Sequence, residues 1–371
     1  MSYRVYAVTD ARRLDDFLRL PFALYRDDPD WVAPVMSEVK RILDMKRNPF
    51  FAQASLCLFV CYKDEAPAAR LAVVINKIHE QVFARRTAFF GFFESTNDRD
   101  AVKALVDEAE RYCRGRRAEV LEGPFNPNHY SEVGLQIDRF GTMPAFFETH
   151  NPPYYRALLE EAGFRVSAVF QTMRNDDIRN YLADRYETIA GQPARNGYTI
   201  RSFSPADKER DLERIREVNN DAFAGNWHFL PLTKEEYAFS AKYLNLVTRP
   251  GLIKIVEHDG RPVAVLHCVL DINPLLKGLN GKAGPIGYLR FLRGRRRVKK
   301  LIIYTVAIKK AYQHSRVYPL LLREFRGMAR DFETVATTWI SPENVPSLRA
   351  AESLGMRPDK HFAVYEKRLG S

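Results

Sequence analysis

Apolar and polar residues alternate over residues 4–8, then shift to a helical spacing, with Leu14, Phe17, Leu18 and Phe22 on one face of residues 10–25. The spacing predicts a strand followed by a helix that Asp10 caps. Past a turn at Asp27-Asp28-Pro29-Asp30, it predicts a second helix over 35–45 and β-rich runs over 54–62, 69–78 and 88–94. A long helix over 99–114 starts at Asn97-Asp98, and a buried strand covers 119–122. Asn151-Pro152-Pro153 opens a helix that Gly163-Phe164 closes, and residues 165–173 are extended.

The second half repeats the order. A strand over 198–203 leads to a helix from Ser204 to Ala222, and another helix follows Thr233. Strands are predicted over 252–257, 262–271 and 300–308, then a helix over 316–331 and a strand over 335–340. A last helix from Asn344 ends at Gly355-Met356, before a strand over 362–367. Two units of about 180 residues share the order β-α-α-β-β-β-α-β-α-β, so the pattern predicts an α/β tandem repeat divided into 1–190 and 191–371.

Charge distinguishes the halves. The chain carries 57 Lys+Arg against 46 Asp+Glu, with 26 against 28 up to residue 190 and 31 against 18 after it. Seven cations crowd one segment, at Arg290, Arg293, Arg295, Arg296, Arg297, Lys299 and Lys300. With Leu289, Phe291 and Leu292 beside them they suit an anionic membrane surface or an acidic carrier protein, and a solvated loop is the plainer reading. Arg293, Arg295, Arg296 and Arg297 are the expected surface contacts. Nucleic acid is disfavoured, because no aromatic-interleaved basic sheet or recognition helix is evident. The most apolar run, residues 301–308, falls short of the roughly 18–20 residues of a membrane span, and no apolar signal region follows the N-terminus. Cys57, Cys61, Cys113 and Cys268 form no CxxC pair or metal-ligand spacing. The expectation is a metal-free cytoplasmic protein, peripheral at most on the inner face of the membrane.

Several strings carry a resemblance: Asn48-Pro49-Phe50-Phe51, Gly91-Phe92-Phe93-Glu94-Ser95, Gly123-Pro124-Phe125-Asn126, Ser131-Glu132-Val133-Gly134-Leu135 and Asn226-Trp227-His228-Phe229. With the helices ending Ala162-Gly163-Phe164 and Leu354-Gly355-Met356, they resemble the GNAT superfamily of acyl-CoA N-acyltransferases, and within it a tandem bacterial group that includes bacterial ceramide synthases. The resemblance implies two GNAT-like units with mixed, mostly antiparallel sheets flanked by helices. It also implies transfer of a fatty acyl group from a thioester to an amine, with a sphingoid base as the acceptor in the ceramide synthase group. An amino acid or other small amine is the alternative acceptor, and a non-catalytic protein that binds anionic lipid is the rival from another class. No permanently bound cofactor is implied; acyl-CoA or an acyl-carrier-protein thioester is the co-substrate.

The turn that should hold the pyrophosphate, Gln313-His314-Ser315-Arg316, lacks the family's glycines, so side-chain cations or a carrier protein would replace the backbone cradle. These four residues and Asn344 are the candidate donor contacts. The usual tyrosine acid is absent, its positions being Leu159 and Ala351. Tyr154 and Tyr155, one turn earlier, are candidate substitutes and substrate contacts, with aromatic packing the plainer role for at least one of them. The polar loop between Gly123 and Gly134 packs Asn126, His129, Tyr130 and Glu132 at a strand's carboxyl end, where sites form in α/β sheets. Glu132 or His129 is the candidate base, Asn126 a carbonyl or hydroxyl holder, and Tyr130 a further member. Asn226, Trp227 and Phe229 are candidates for holding an aliphatic acceptor, with a core plug as the plain alternative.

Overall fold

The computed structural model describes residues 2–183, 197–282 and 284–370. Its elements in chain order are β1 Tyr3–Ala7, α1 Ala11–Leu24, α2 Met36–Leu43, β2 Ala54–Lys63, β3 Ala66–Asn76, α3 Lys77–Phe83, β4 Thr87–Ser95 and α4 Arg99–Arg114. The short strands β5 Val120–Gly123, β6 Phe125–Asn126, β7 Glu132–Val133 and β8 Leu135–Gln136 follow, then α5 Tyr155–Glu161, β9 Arg165–Asn175 and α6 Ile178–Ala183. Next come β10 Tyr198–Ser202, α7 Lys208–Ala222, α8 Lys234–Ser240, α9 Leu244–Val247, β11 Ile253–His258, β12 Arg261–Leu270, α10 Asn273–Lys277 and α11 Pro285–Arg295. The chain closes with β13 Lys300–Ile308, α12 Val317–Ala329, β14 Thr334–Thr337, α13 Val345–Glu352 and β15 Arg357–Arg368.

The backbone groups into two compact units. Unit 1 holds residues 1–171, 276–287 and 360–371, and unit 2 holds 172–275 and 288–359. The expected boundary at 190/191 lies outside the described residues. In unit 1, β1 to β4 run antiparallel in sequence order, β4 and β5 are parallel, and the C-terminal strand β15 pairs antiparallel with β5 and β8. Unit 2 has the same plan, with β10 to β13 antiparallel, β13 parallel to β14, and the end of β9 antiparallel to β14.

Strand alternation builds a core on each side of unit 1's sheet. Phe59, Cys61, Leu71 and Val73 face Val102, Leu105, Val106 and Ala109 of α4. Leu58, Val60, Tyr62 and Ala72 face Phe17 and Leu18 of α1. In unit 2, Leu212, Ile215 and Val218 of α7 pack on Ile253, Ile255, Val265 and Ala307. Of the helix starts read from sequence, Asp10 accepts from Arg13 N, Asp98 from Asp100 N and Ala101 N, and Thr233 forms a capping box with Glu236, whereas α7 begins only at Lys208, past the expected Ser204, with no side-chain cap at Asp207.

Local chemistry overrides the sequence reading at three places. The run expected to stay extended to residue 78 turns into α3, because the Asn76 side chain accepts from Ile78 N and His79 N. The segment before β13 is helical, with Arg295 ending α11. Within the polar loop, β6 and β7 pair as a small antiparallel ribbon.

Candidate active site

Each unit has a point where two parallel strands part. In unit 1 the β4–β5 pairing ends at Phe89↔Glu122, and β4 then bulges against β3, with Phe92 at φ 50°. The parting is filled by the chain itself. A Cβ on Gly91 would stand 1.7 Å from the Phe125 carbonyl oxygen, and one on Gly123 would stand 2.2 Å from that of Phe90, so only glycine lets β6 lie on β4. Asn126 Oδ1 accepts from Phe92 N at 2.6 Å, while its Nδ2 donates to Glu132 Oε2 at 3.0 Å. Farther along β4, Ser95 N donates to the Tyr155 hydroxyl at 2.8 Å, and the Tyr154 hydroxyl donates to Ser95 O at 2.9 Å.

Two carboxylates of unit 1 lie near enough to feel each other's charge. Glu94 Oε2 accepts from Tyr25 and Tyr155 at 2.7 and 2.8 Å, with Arg70 Nη2 3.7 Å from Oε1. Burial still raises its pKa, and the charge on Glu132 raises it further. The Glu132 side chain is exposed by area, yet desolvation raises its pKa above the usual 4.5.

In unit 2 the β13–β14 pairing ends at Ile303↔Thr337, and Tyr304 is the bulged residue between Ile303↔Cys268 and Thr305↔His267. Here the parting is open. Lys309 N donates to Val263 O, which makes 263↔309, 265↔307 and 267↔305 the hydrogen-bonded pairs of the ladder. Val306, in a non-bonded pair, therefore points its N–H and C=O away from β12, and among the described residues nothing pairs with them. Its side chain is 38% exposed.

Beside the bulge, His267 is buried and its ring meets Tyr304 edge-on at 5.1 Å. Neither ring nitrogen has a partner among the described residues, and burial depresses its pKa to about 4. Tyr304 and Tyr237 are half-buried hydroxyls whose pKa values desolvation raises. An unsatisfied buried histidine at a bulge, next to an unpaired strand edge, leaves polar groups that call for a partner.

No family model matches the chain. Protein YghO of Escherichia coli (strain K12) is 27% identical over 366 residues, covering 96% of this chain and 93% of its own. Bacterial ceramide synthase of Caulobacter vibrioides is 28% identical over 384 aligned positions, covering 98% and 97%. A solved tandem GNAT protein from the clavulanic acid biosynthesis pathway superposes with a TM-score of 0.59 at 13% identity, covering 100% of this chain and 99% of that one. The chain has the tandem GNAT fold. A GCN5-related N-acetyltransferase from Sphaerobacter thermophilus, at TM-score 0.50 and 14% identity over 99% of this chain and 96% of its own, shares the GNAT architecture.

Against that GNAT frame the residues chosen from sequence fall into separate places. Asn126 and Glu132 bond to each other, while His129 packs among aromatic rings, 4.2 Å from Phe125 and 5.1 Å from Phe89. Tyr130 N donates to Asn128. Tyr154 and Tyr155 tie down β4, and burial pushes the Tyr154 hydroxyl up to about 12 and that of Tyr155 higher, far from a readily ionised acid.

In unit 2, Trp227 is half-buried against His228, and Phe229 lies 6.1 Å from Phe223. Asn226 is exposed, and its backbone carbonyl accepts from Phe229 N. Ser315 Oγ caps the start of α12 by accepting from Val317 N, Gln313 reaches Ile308 O at 3.5 Å, and Asn344 is the N-cap of α13. His314 and Arg316 flank that turn, with the exposed Lys310 before it.

The basic run divides. Arg295 donates to Thr248 O and Lys300 pairs with Asp271 at 3.2 Å, whereas Arg293, Arg296 and Arg297 are exposed. Among the described residues no group of three or more His, Cys, Asp or Glu could hold a metal ion, and no helix is long and apolar enough to cross a membrane. Sequence reasoning missed Glu94, Arg70, Tyr25, Val306, Tyr304 and His267. The run Gly91-Phe92-Phe93-Glu94-Ser95 was signal enough for Glu94, but nothing in sequence marks His267.

Proposed function

We propose that the protein is an N-acyltransferase that moves a fatty acyl group from a thioester to an amine, with the donor laid along the open edge of β13. The single observation that carries this reading is the contrast between the partings. Unit 1's is filled by Phe125 and Asn126 and bound off by Tyr154 and Tyr155, whereas unit 2's leaves Val306 N–H unpaired beside an unsatisfied histidine. A thioester carbonyl accepts from Val306 N–H, which stabilises the oxyanion as the amine nitrogen attacks. The C–N bond forms, the C–S bond breaks, the ammonium proton leaves to a base, and the departing thiolate gains a proton.

His267, neutral at pH 7, accepts that proton through a bound water. Glu132 is the base of a rival reading in which transfer runs within unit 1, favoured by its raised pKa and accessible carboxylate. Lys310, His314 and Arg316 are assigned to the donor's phosphates, since the turn has no glycine cradle. Acyl-CoA is the expected donor, and an acyl-carrier-protein thioester the alternative.

A long-chain amine of the sphingoid kind is the assigned acceptor. It is supported by the name of the Caulobacter relative and by the rings of Phe223, Trp227 and Phe229. Helix α11, with Ile286, Tyr288 and Leu289 exposed alongside Arg293, Arg296 and Arg297, suits attachment to an anionic membrane face. The test is thiol release by the purified protein from a fatty acyl-CoA, with sphinganine compared against amino acids. Turnover with sphinganine supports the reading; turnover with amino acids alone moves the acceptor to a small amine, and none with any acceptor rejects it.

A further inference from the structure

Away from the β13 edge, unit 2 contains a cavity of about 300 Å³ lined by Arg179, Arg249, Arg296, Lys299 and Arg330, with Asp331 on its wall. Leaving Arg330 aside, four cations face one carboxylate, an excess of three positive charges and a density that repels itself unless an anion relieves it. Arg179, Arg249, Arg296 and Lys299 form no ion pair among the described residues. One wall is held by backbone: Arg249 Nη2 donates to Arg295 O at 3.1 Å, and Arg295, just outside the lining, donates back to Thr248 O. Two like charges are thereby locked side by side, and burial together with Arg249 lowers the pKa of Arg295. A cation fixed before a ligand arrives, as Arg249 is, loses little freedom on binding one.

The cavity is not the donor's phosphate site. Lys299 precedes the first residue of β13, Arg330 follows the last of α12, and Phe332 leads into β14, so the cavity lies at the strands' amino ends. The donor edge at Val306 and the turn before α12 lie at the opposite ends of those elements. Thirteen helical residues separate the two ends, about 20 Å at 1.5 Å each.

We infer that this cavity is a second, separate binding site for a phosphate-bearing ligand, either a phospholipid headgroup or a soluble phosphate compound. Guanidinium groups converging on one hollow match the bidentate geometry of phosphate oxygens, and a cavity of this size admits more than one phosphate.

The test uses the whole protein at constant ionic strength, with pyrophosphate as the soluble probe and vesicles of phosphatidylglycerol in phosphatidylcholine as the lipid probe. Arg179→Gln/Arg296→Gln/Lys299→Gln removes three cavity cations that hold nothing else. Lys208→Gln/Lys234→Gln/Arg261→Gln removes the same charge from exposed residues of unit 2 outside the cavity and outside the proposed membrane face. The cavity variant is expected to weaken binding by about tenfold or more, with the control changed much less. Loss with pyrophosphate identifies a soluble ligand, and loss with vesicles alone identifies a headgroup. Equal loss in both variants, or none in either, overturns a built site and leaves a diffuse basic surface. Thermal melts of both variants check that the fold is intact, and neither variant touches the residues assigned to acyl transfer.

Discussion

Replacing Val306 by proline removes one N–H and little else. The strand ladder does not use that N–H, because Val306 sits in a non-bonded pair with Leu266, so no internal hydrogen bond is lost. Proline is tolerated in a strand where its nitrogen faces away from the neighbouring strand. The side chain is already 38% exposed, so lost burial and adjustment of φ together should cost about 1 kcal/mol. If the N–H holds the oxyanion, its removal raises the barrier by about 2.7–4 kcal/mol, a fall of about 10²–10³ in turnover. Val306→Ala keeps the N–H and is expected to retain activity within a few-fold. The assay is thiol release at saturating amine, with circular dichroism and thermal melts to confirm folding. Equal activity of folded Val306→Pro and Val306→Ala, whether both high or both low, would refute the assignment of the oxyanion to this strand edge.

Other outcomes test the surrounding chemistry. His267→Leu should raise stability by removing two unsatisfied buried nitrogens, while lowering kcat about 10²-fold or more if the histidine takes the proton; unchanged kcat with higher stability would make it structural. Because its pKa falls from 6.5 to about 4 on folding, the unfolded chain binds the extra proton, so stability declines as pH drops from about 6.5 to 4, by about 3 kcal/mol at most. That slope should vanish in His267→Leu urea titrations. Glu132→Gln separates the rival base: as proton acceptor it predicts a 10²–10⁴-fold fall in kcat with folding intact, and as a partner of Asn126 alone only a modest change. A raised carboxyl pKa means that folded Glu132 resists ionising, so stability should fall as pH rises above about 4.5, and the substitution should flatten that limb. Gly91→Ala forces a Cβ into the Phe125 carbonyl and should cost several kcal/mol, whereas Gly251→Ala, with open space around it, should be nearly neutral in the same denaturation series.

Sequence by itself determined the tandem α/β repeat. Periodicity in hydrophobic positions is a local property, so most strands, the helices α1, α4 and α12 and the helix starts at Asp10, Asp98 and Thr233 could be read within one or two residues. The strings around Gly91 and Gly123 stood out by resemblance, and Asn126 and Glu132 by the polar loop that holds them; the fold supplies the reason, since closely packed backbone demands glycine at both positions. Other features depend on residues far apart in the chain. The C-terminal strand β15 joins β5 and β8 of unit 1, a pairing across more than two hundred residues that no local pattern encodes. Glu94 owes its environment to Tyr25, Arg70 and Tyr155 on three other elements. His267 is a single histidine in a strand, and only the fold leaves its nitrogens unpaired. Val306 reads as one more apolar strand residue. Its free N–H exists because β14 parts from β13 after Ile303, and ladder register is settled by tertiary pairing rather than by residue type.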